Sequence, residues 1–167
     1  LSTNHGGVCL MYDASLHARP LQLPNFSTFE VVAAYVHRSG FNAVVVVLYR
    51  PGSRSVTNAF FDDFNDLLER IATYSAPLMI AGDFNIHMDD ENDADAGKLS
   101  DILANHSLLQ HVQSSTHRHG HILDLIITRD NLHTQTLPVD PPLLSDHSLI
   151  VADCDCRPPS AVPPIFR

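Results

Sequence analysis

A chain of 167 residues, 44% hydrophobic and 17% charged, can bury the core of one domain and is too apolar to be disordered. Its formal net charge of -9 excludes a broad basic surface for nucleic acid, so a polyanionic substrate has to be gripped locally by a metal, histidines and a few arginines. Cys9, Cys154 and Cys156 are too few for a disulfide framework, and no run approaches the roughly 20 apolar residues of a membrane span.

Gly7 to Tyr12 reads as a strand, Phe29 to Val36 as a second and Phe41 to Tyr49 as a third, with Ser39-Gly40 as the hairpin turn between the last two. The uninterrupted run Val44 to Leu48 is that of a central strand covered on both faces, and Arg50-Pro-Gly-Ser stops it. From Thr57 or Asn58 the period becomes helical. Phe60, Phe61, Phe64, Leu67, Leu68 and Ile71 form one apolar stripe, with Asp62, Asp63, Asp66, Glu69 and Arg70 mostly opposite. Leu78 to Ala81 is a short buried strand ending at Gly82, and Lys98 to Asn105 is a shorter helix. Leu123 to Thr128 and Leu149 to Ala152 read as strands, and Thr134 to Val139 as an edge strand closed by Pro138. Residues 1–156 then form one domain, and the proline-rich 157–167 a linker or tail. Strands outnumber helices and the helices fall between them, which favours a mixed sheet pair flanked by helices over a doubly wound open sheet.

The polar residues that break this apolar pattern carry the chemistry. Asp83 and Asn85 follow Gly82 at a spacing of two, so an extended backbone past the glycine puts both side chains on one side, a cradle for a divalent cation or a nucleophilic water. Asp124 sits inside the apolar run Ile122 to Ile127, where a carboxylate is costly to bury without a cation or hydrogen-bond donors. Asp146-His147 offers a carboxylate and an imidazole able to transfer a proton or hold a phosphoryl oxygen near neutral pH. Neighbours on a strand point oppositely, so Asp146 reaches another histidine or the backbone instead of His147. His117, His119 and His121 alternate. On a strand they would share a face and bind a soft divalent ion, but a histidine-rich loop with His117 or Arg118 touching phosphate is the favoured reading over a zinc module. Asp89 to Asp95 lacks the ligand spacing of a calcium loop and reads as a solvated acidic loop.

Gly82-Asp-Phe-Asn85, Leu123-Asp-Leu-Ile126 and Ser145-Asp-His147 occur in the order seen in the endonuclease/exonuclease/phosphatase superfamily, and the chain resembles it from Gly7 to about Asp153. Tyr49-Arg-Pro51, closing a valine-rich strand, is similar to a further motif of the apurinic-like endonuclease domains that precede reverse transcriptase in non-LTR retrotransposons. The resemblance implies an α/β (α+β) four-layer sandwich of two packed mixed sheets flanked by helices. It implies Mg²⁺- or Mn²⁺-dependent hydrolysis of phosphodiesters: a DNA-nicking domain supplying a 3′-hydroxyl to a reverse transcriptase domain C-terminal to it, nuclear or cytoplasmic and without a membrane.

Carried over, Asp83 resembles the carboxylate that aligns or deprotonates the attacking water, and Asn85 the amide holding the phosphate and that carboxylate. His147 resembles the imidazole on the scissile phosphate, Tyr49 the phenol near the phosphate or leaving group, and Asp124 the acid supporting the network. Asp146 would orient an imidazole or join the metal shell, and Thr116 would contact substrate. Complete members begin with an Asn-ending strand and a segment carrying the Glu that binds the metal. Nothing before Gly7 supplies either, Glu30 is not that ligand, and the chain begins with Leu, so it reads as a domain truncated at its N-terminus with impaired cleavage. The alternatives are a non-catalytic degenerate remnant or binding module, or a related phosphatase or phosphodiesterase.

Overall fold

A computed structural model describes residues 7–136 and 145–155. Its strands and helices are β1 (His17–Pro20), β2 (Glu30–Arg38), β3 (Phe41–Tyr49), α1 (Asn58–Ile71), β4 (Leu78–Asp83), α2 (Ala94–Asn105), β5 (Leu108–Gln110), β6 (Asp124–Arg129), β7 (Thr134–Thr136) and β8 (Ala152–Cys154). Six strands form one mixed sheet in the order β1-β2-β3-β4-β6-β5, and β7 and β8 form a separate antiparallel ribbon. Two sheets flanked by helices is the expected architecture, although among the described residues the second sheet is two-stranded and antiparallel, not mixed.

The valine run makes β3 the centre of the sheet, because β-branched side chains suit a pleated surface packed on both sides. It pairs antiparallel with β2 through the hairpin at Gly40, whose φ of +74° a side chain would disfavour, and parallel with β4. A parallel neighbour needs a crossover, and α1 provides it. Its six-residue apolar stripe is wholly buried against Val44, Val46, Leu48, Leu78, Ile80, Leu125 and Ile127 of the sheet. Thr57 starts α1 in an extended conformation, and Asp93 starts α2 by accepting from the Asp95 and Ala96 backbone N–H groups at 2.8 and 3.2 Å. Phe84, fully buried, packs edge-on against Phe64 with ring centroids 5.6 Å apart, pinning the segment after β4 to the helix layer.

Several elements differ from the sequence reading. Residues 7–12 are not a strand; pairing with β2 begins only at His17, where the register reaches His37. The second helix starts four residues earlier than Lys98, because the Asp93 cap fixes its first turn within the acidic loop. Leu108 to Gln110 adds an edge strand too short to show a period. The last strand begins at Ala152, where it pairs with β7, and not at Leu149. Val139, Pro138, Cys156 and the tail 157–167 lie outside the described residues. No described helix is long and apolar enough to cross a membrane.

Candidate active site

The sheet sets one rung of the site by register alone. Tyr49 on β3 pairs with Asp83 on β4, and Asp83 pairs with Asp124 on β6, so three polar residues separated by dozens of positions stand side by side at the ends of adjacent strands. Paired residues of neighbouring strands face the same side of a sheet, so the rung is a shared face. Gly82 is what allows β4 to reach this point. Its φ is +149°, and a Cβ there would lie 1.8 Å from the Leu48 carbonyl oxygen, so no side chain fits between these strands.

Asp83 ends the strand, and the chain then turns. Asn85 adopts a φ of +50°, outside the extended region, so its side chain meets Asp83 by a backbone reversal and not by strand alternation. The Asn85 backbone N–H donates to Asp83 Oδ1 at 2.9 Å and its Nδ2 to Asp83 Oδ2 at 2.7 Å, while Nδ2 also reaches the Arg50 carbonyl at 2.9 Å. The carboxylate is held in one orientation. Burial and the neighbouring Asp124 charge push the Asp83 carboxyl up to about 6, against the Asn85 hydrogen bonds and the nearby His147.

His147 arrives from the other side. Its Nδ1 lies 2.8 Å from Asp124 Oδ2, which leaves Nε2 as the outward nitrogen. Burial works to lower the pKa of this imidazole, but the Asp124 hydrogen bond and the charges of Asp124, Asp83 and Asp146 outweigh it and raise the imidazole above its ordinary value. One ligand atom from each of Asp83, Asp124 and His147 lies within 4.8 Å of the others. Two carboxylates set side by side, one with its pKa raised by the other, repel in a way that a divalent cation relieves, so this donor set fits Mg²⁺ or Mn²⁺.

Residues 43–151 match the endonuclease-reverse transcriptase family. The chain belongs to this family. Solved structures with the same fold include the endonuclease domain of TRAS1, a telomere-specific non-LTR retrotransposon, at a TM-score of 0.63 and 16% identity over 81% of this chain and 66% of that one. The AP endonuclease LMAP from Leishmania major matches at 0.60 and 13% identity over 87% and 63%, and an endonuclease/exonuclease/phosphatase family protein from Leptotrichia buccalis at 0.59 and 12% over 86% and 74%. The chain thus spans just under two thirds of the length of the TRAS1 domain. At these identities the likeness is one of fold, that of the endonuclease/exonuclease/phosphatase superfamily. No curated protein is significantly similar in sequence.

In this family member, the sequence-derived residues Tyr49, Asp83, Asn85, Asp124 and His147 come together. Asp146 faces His117, with 3.5 Å between Asp146 Oδ2 and His117 Nε2, and makes no hydrogen bond to the His147 ring among those described. Arg118 is exposed and ties the two loops through its backbone, its N–H donating to the Asp146 carbonyl at 2.9 Å. Thr116 is fully buried, and its Oγ1 accepts from the Leu123 and Asp124 N–H groups at 3.0 and 3.1 Å. That hydroxyl is occupied beneath the site, which sets Thr116 as a support for the Asp124 strand end and not as a surface for substrate. The histidine-rich segment is a loop and turn, as its Arg118 and Gly120 suggest.

Arg50 is the residue the sequence reading took only as part of a strand stop and a motif. It is 4% exposed, and its guanidinium donates to the carbonyls of Phe84 at 2.6 Å, Asn85 at 2.5 Å and Arg54 at 2.8 Å. A fork of fixed donors thereby clamps the reversed turn that carries Asn85. The sequence signal was a lone arginine between a buried strand and a proline; its carbonyl partners carry no sequence mark.

Proposed function

We propose that this site hydrolyses phosphodiester bonds in a divalent-metal-dependent reaction, and that the substrate is DNA nicked to leave a 3′-hydroxyl that an associated reverse transcriptase extends. The observation that carries the reading is the convergence of Asp83, Asp124 and His147 around one small space, with Asn85 fixing the first of them. Family membership supports the substrate class and the reverse transcriptase partner.

The chain's own residues divide the work. Asn85 aims the Asp83 carboxylate, so we assign Asp83 the alignment of the attacking water, or, where it is not bound to the metal, its deprotonation by a carboxyl raised to about 6. His147, its pKa raised and its Nδ1 held by Asp124, presents Nε2 as a hydrogen-bond donor to a phosphate oxygen. Asp124 orients that imidazole and favours its charged form. Tyr49, on the Asp83 rung, offers a phenol hydroxyl to the phosphate or the leaving oxygen. A Mg²⁺ or Mn²⁺ held by Asp83 and Asp124, with Asp146 a further candidate ligand, would neutralise charge developing on the phosphate.

Supercoiled plasmid incubated with Mg²⁺ or Mn²⁺ and either this chain or the chain extended at its N-terminus tests this. Cleavage by this chain is expected to be weak without the Glu ligand of complete family members, and cleavage by the extended chain strong. The expected result is conversion to nicked circles that EDTA abolishes and that Asp83→Ala and His147→Ala each slow by about 100-fold or more, the usual scale for losing a general base or a transition-state donor. Nicking that persists unchanged in both variants would refute the assignment.

A further inference from the structure

His147 and Asp146 also belong, with His117, to a second trio of possible metal ligands, and the proposed hydrolysis gives His117 no part. His117 and His147 face one another as an isolated antiparallel bridge, flanked by the Arg118 N–H on the Asp146 carbonyl at 2.9 Å and the Ser148 N–H on the Thr116 carbonyl at 2.8 Å. Antiparallel partners project to the same side, so the bridge stacks the two imidazoles edge to face with centroids 5.0 Å apart. Asp146 closes the group from the neighbouring position, 3.5 Å from His117 Nε2. One ligand atom from each of the three residues lies within 4.8 Å of the others. Around a four-coordinate zinc ion, ligand atoms at bond lengths of about 2.1 Å stand roughly 3.4 Å apart, so a shift of about 1 Å, taken up chiefly by the exposed Asp146, closes the set.

We infer that His117, Asp146 and His147 form a second cation site, selective for a borderline transition-metal ion such as Zn²⁺. The chemistry of the donors separates it from the first. Two imidazoles and one carboxylate suit zinc and its neighbours, whereas the Asp83–Asp124 rung offers the hard oxygens that Mg²⁺ prefers. His117 anchors the site: its side chain is only 14% exposed and is held by the buried Thr116 before it and the bridge beside it. The two trios share His147, so a zinc ion on the outer one takes the imidazole that the hydrolytic reading assigns to phosphate. That consequence rests on the proposed function; the site itself does not.

The test is metal binding to the whole 167-residue chain, without any nucleic acid. Co²⁺ is the probe, since its visible absorption reports imidazole ligation, with Zn²⁺ then displacing it. The expected result is one strong site whose absorption is lost in His117→Ala and kept in Asp83→Ala and in His119→Ala, an exposed histidine of the same loop. Loss of outer partners of a metal ligand already costs about 10–100-fold in affinity, so removing His117 weakens Zn²⁺ by at least that factor. Should His117→Ala fail to melt cooperatively, Asp146→Asn supplies the same comparison with less disturbance to packing. Absorption that survives His117→Ala or Asp146→Asn, or that vanishes in Asp83→Ala, overturns the proposal. Failure here leaves metal-dependent nicking untouched, and failed nicking leaves the Co²⁺ spectrum to stand.

Discussion

Replacing Arg50 by Met keeps the length and apolar stem of the side chain and removes its fork. Three short hydrogen bonds from a charged donor to the Phe84, Asn85 and Arg54 carbonyls are lost. At about 1.5–3 kcal/mol each they would sum to roughly 4–9 kcal/mol, but the guanidinium no longer has to be stripped of water, which returns part of it. A net cost of about 3–5 kcal/mol remains, the range seen when one partner of a buried charged network is deleted. Against a total stability of about 5–15 kcal/mol that is a large fraction, and at an m-value near 2 kcal/mol per molar urea the unfolding midpoint falls by about 2 M. Arg50→Lys recovers only part of this, because an ammonium cannot span three carbonyls in a plane. The local consequence is sharper than the global one. Asn85 donates to the Arg50 carbonyl while Arg50 donates to the Asn85 carbonyl, so the two substitutions Arg50→Met and Asn85→Ala remove one shared unit. Their stability costs therefore fall short of additive by about 1 kcal/mol or more in a double-mutant cycle. Urea unfolding followed by far-ultraviolet circular dichroism reads all four variants, the double substitution included. A midpoint for Arg50→Met within about 0.3 M of the parent, or strict additivity with Asn85→Ala, would refute the clamp.

Two glycines separate stability from placement. Gly82→Ala sets a Cβ against the Leu48 backbone carbonyl at 1.8 Å and is expected to cost about 3 kcal/mol or more, visible as loss of a cooperative thermal transition. Gly52→Ala instead meets the end of a side chain, Asn85 Oδ1 at 2.5 Å, so Asn85 is displaced. Its melting temperature stays within a few degrees of the parent while nicking drops by about 10-fold or more, read as a fall in rate at saturating DNA. The third concerns pH. The raised folded pKa of Asp83, about 6 against an ordinary 3.8, means the folded state keeps a proton that the unfolded chain releases. Its contribution is then fully present below about 3.8 and lost as pH rises through about 6. Two units correspond to about 3 kcal/mol, reduced to roughly 1–2 kcal/mol because the half-buried carboxylate is screened by solvent. In metal-free buffer, Asp83→Asn should therefore gain on the parent by that amount between pH 4 and pH 8, with Asp124 and His147 present in both proteins. Mg²⁺ should narrow the gap at pH 8. A stability difference independent of pH would show that Asp83 titrates normally.

The helix layer was legible because burial leaves a periodic mark. Each apolar residue of the stripe from Phe60 to Ile71 is in the core, and the valine run is the central strand. Residues of the candidate site were legible for the opposite reason: Asp124 and Asp83 interrupt or end apolar strands, where a carboxylate has no reason to sit unless something compensates it. What stayed hidden is made of backbone. The Asn85 reversal, the Asp93 cap, the three-residue β5 and the carbonyls gathered by Arg50 depend on main-chain direction, which side-chain alternation does not encode. Thr116 reads differently in the structure for a related reason. A polar residue in a loop reads as open to substrate, yet this one is fully buried with its hydroxyl oxygen accepting from two N–H groups at the start of β6.

The site divides between a part fixed by pairing and a part hung on loops, and the division has a functional sense. Tyr49, Asp83 and Asp124 share a rung whose spacing is set by inter-strand hydrogen bonds, so their mutual positions change only if the sheet itself opens. His147, His117 and Asp146 are set by two loops that meet at a single bridge and two flanking hydrogen bonds. In the proposed function this sets a phosphate between a rigid carboxylate rung and imidazoles carried on loops. Two side-chain hydrogen bonds described join these loops to the rung, His147 Nδ1 with Asp124 Oδ2 at 2.8 Å and Thr116 Oγ1 accepting from the Asp124 N–H at 3.1 Å, so Asp124 is the point at which the loop-borne part of the site is registered on the sheet.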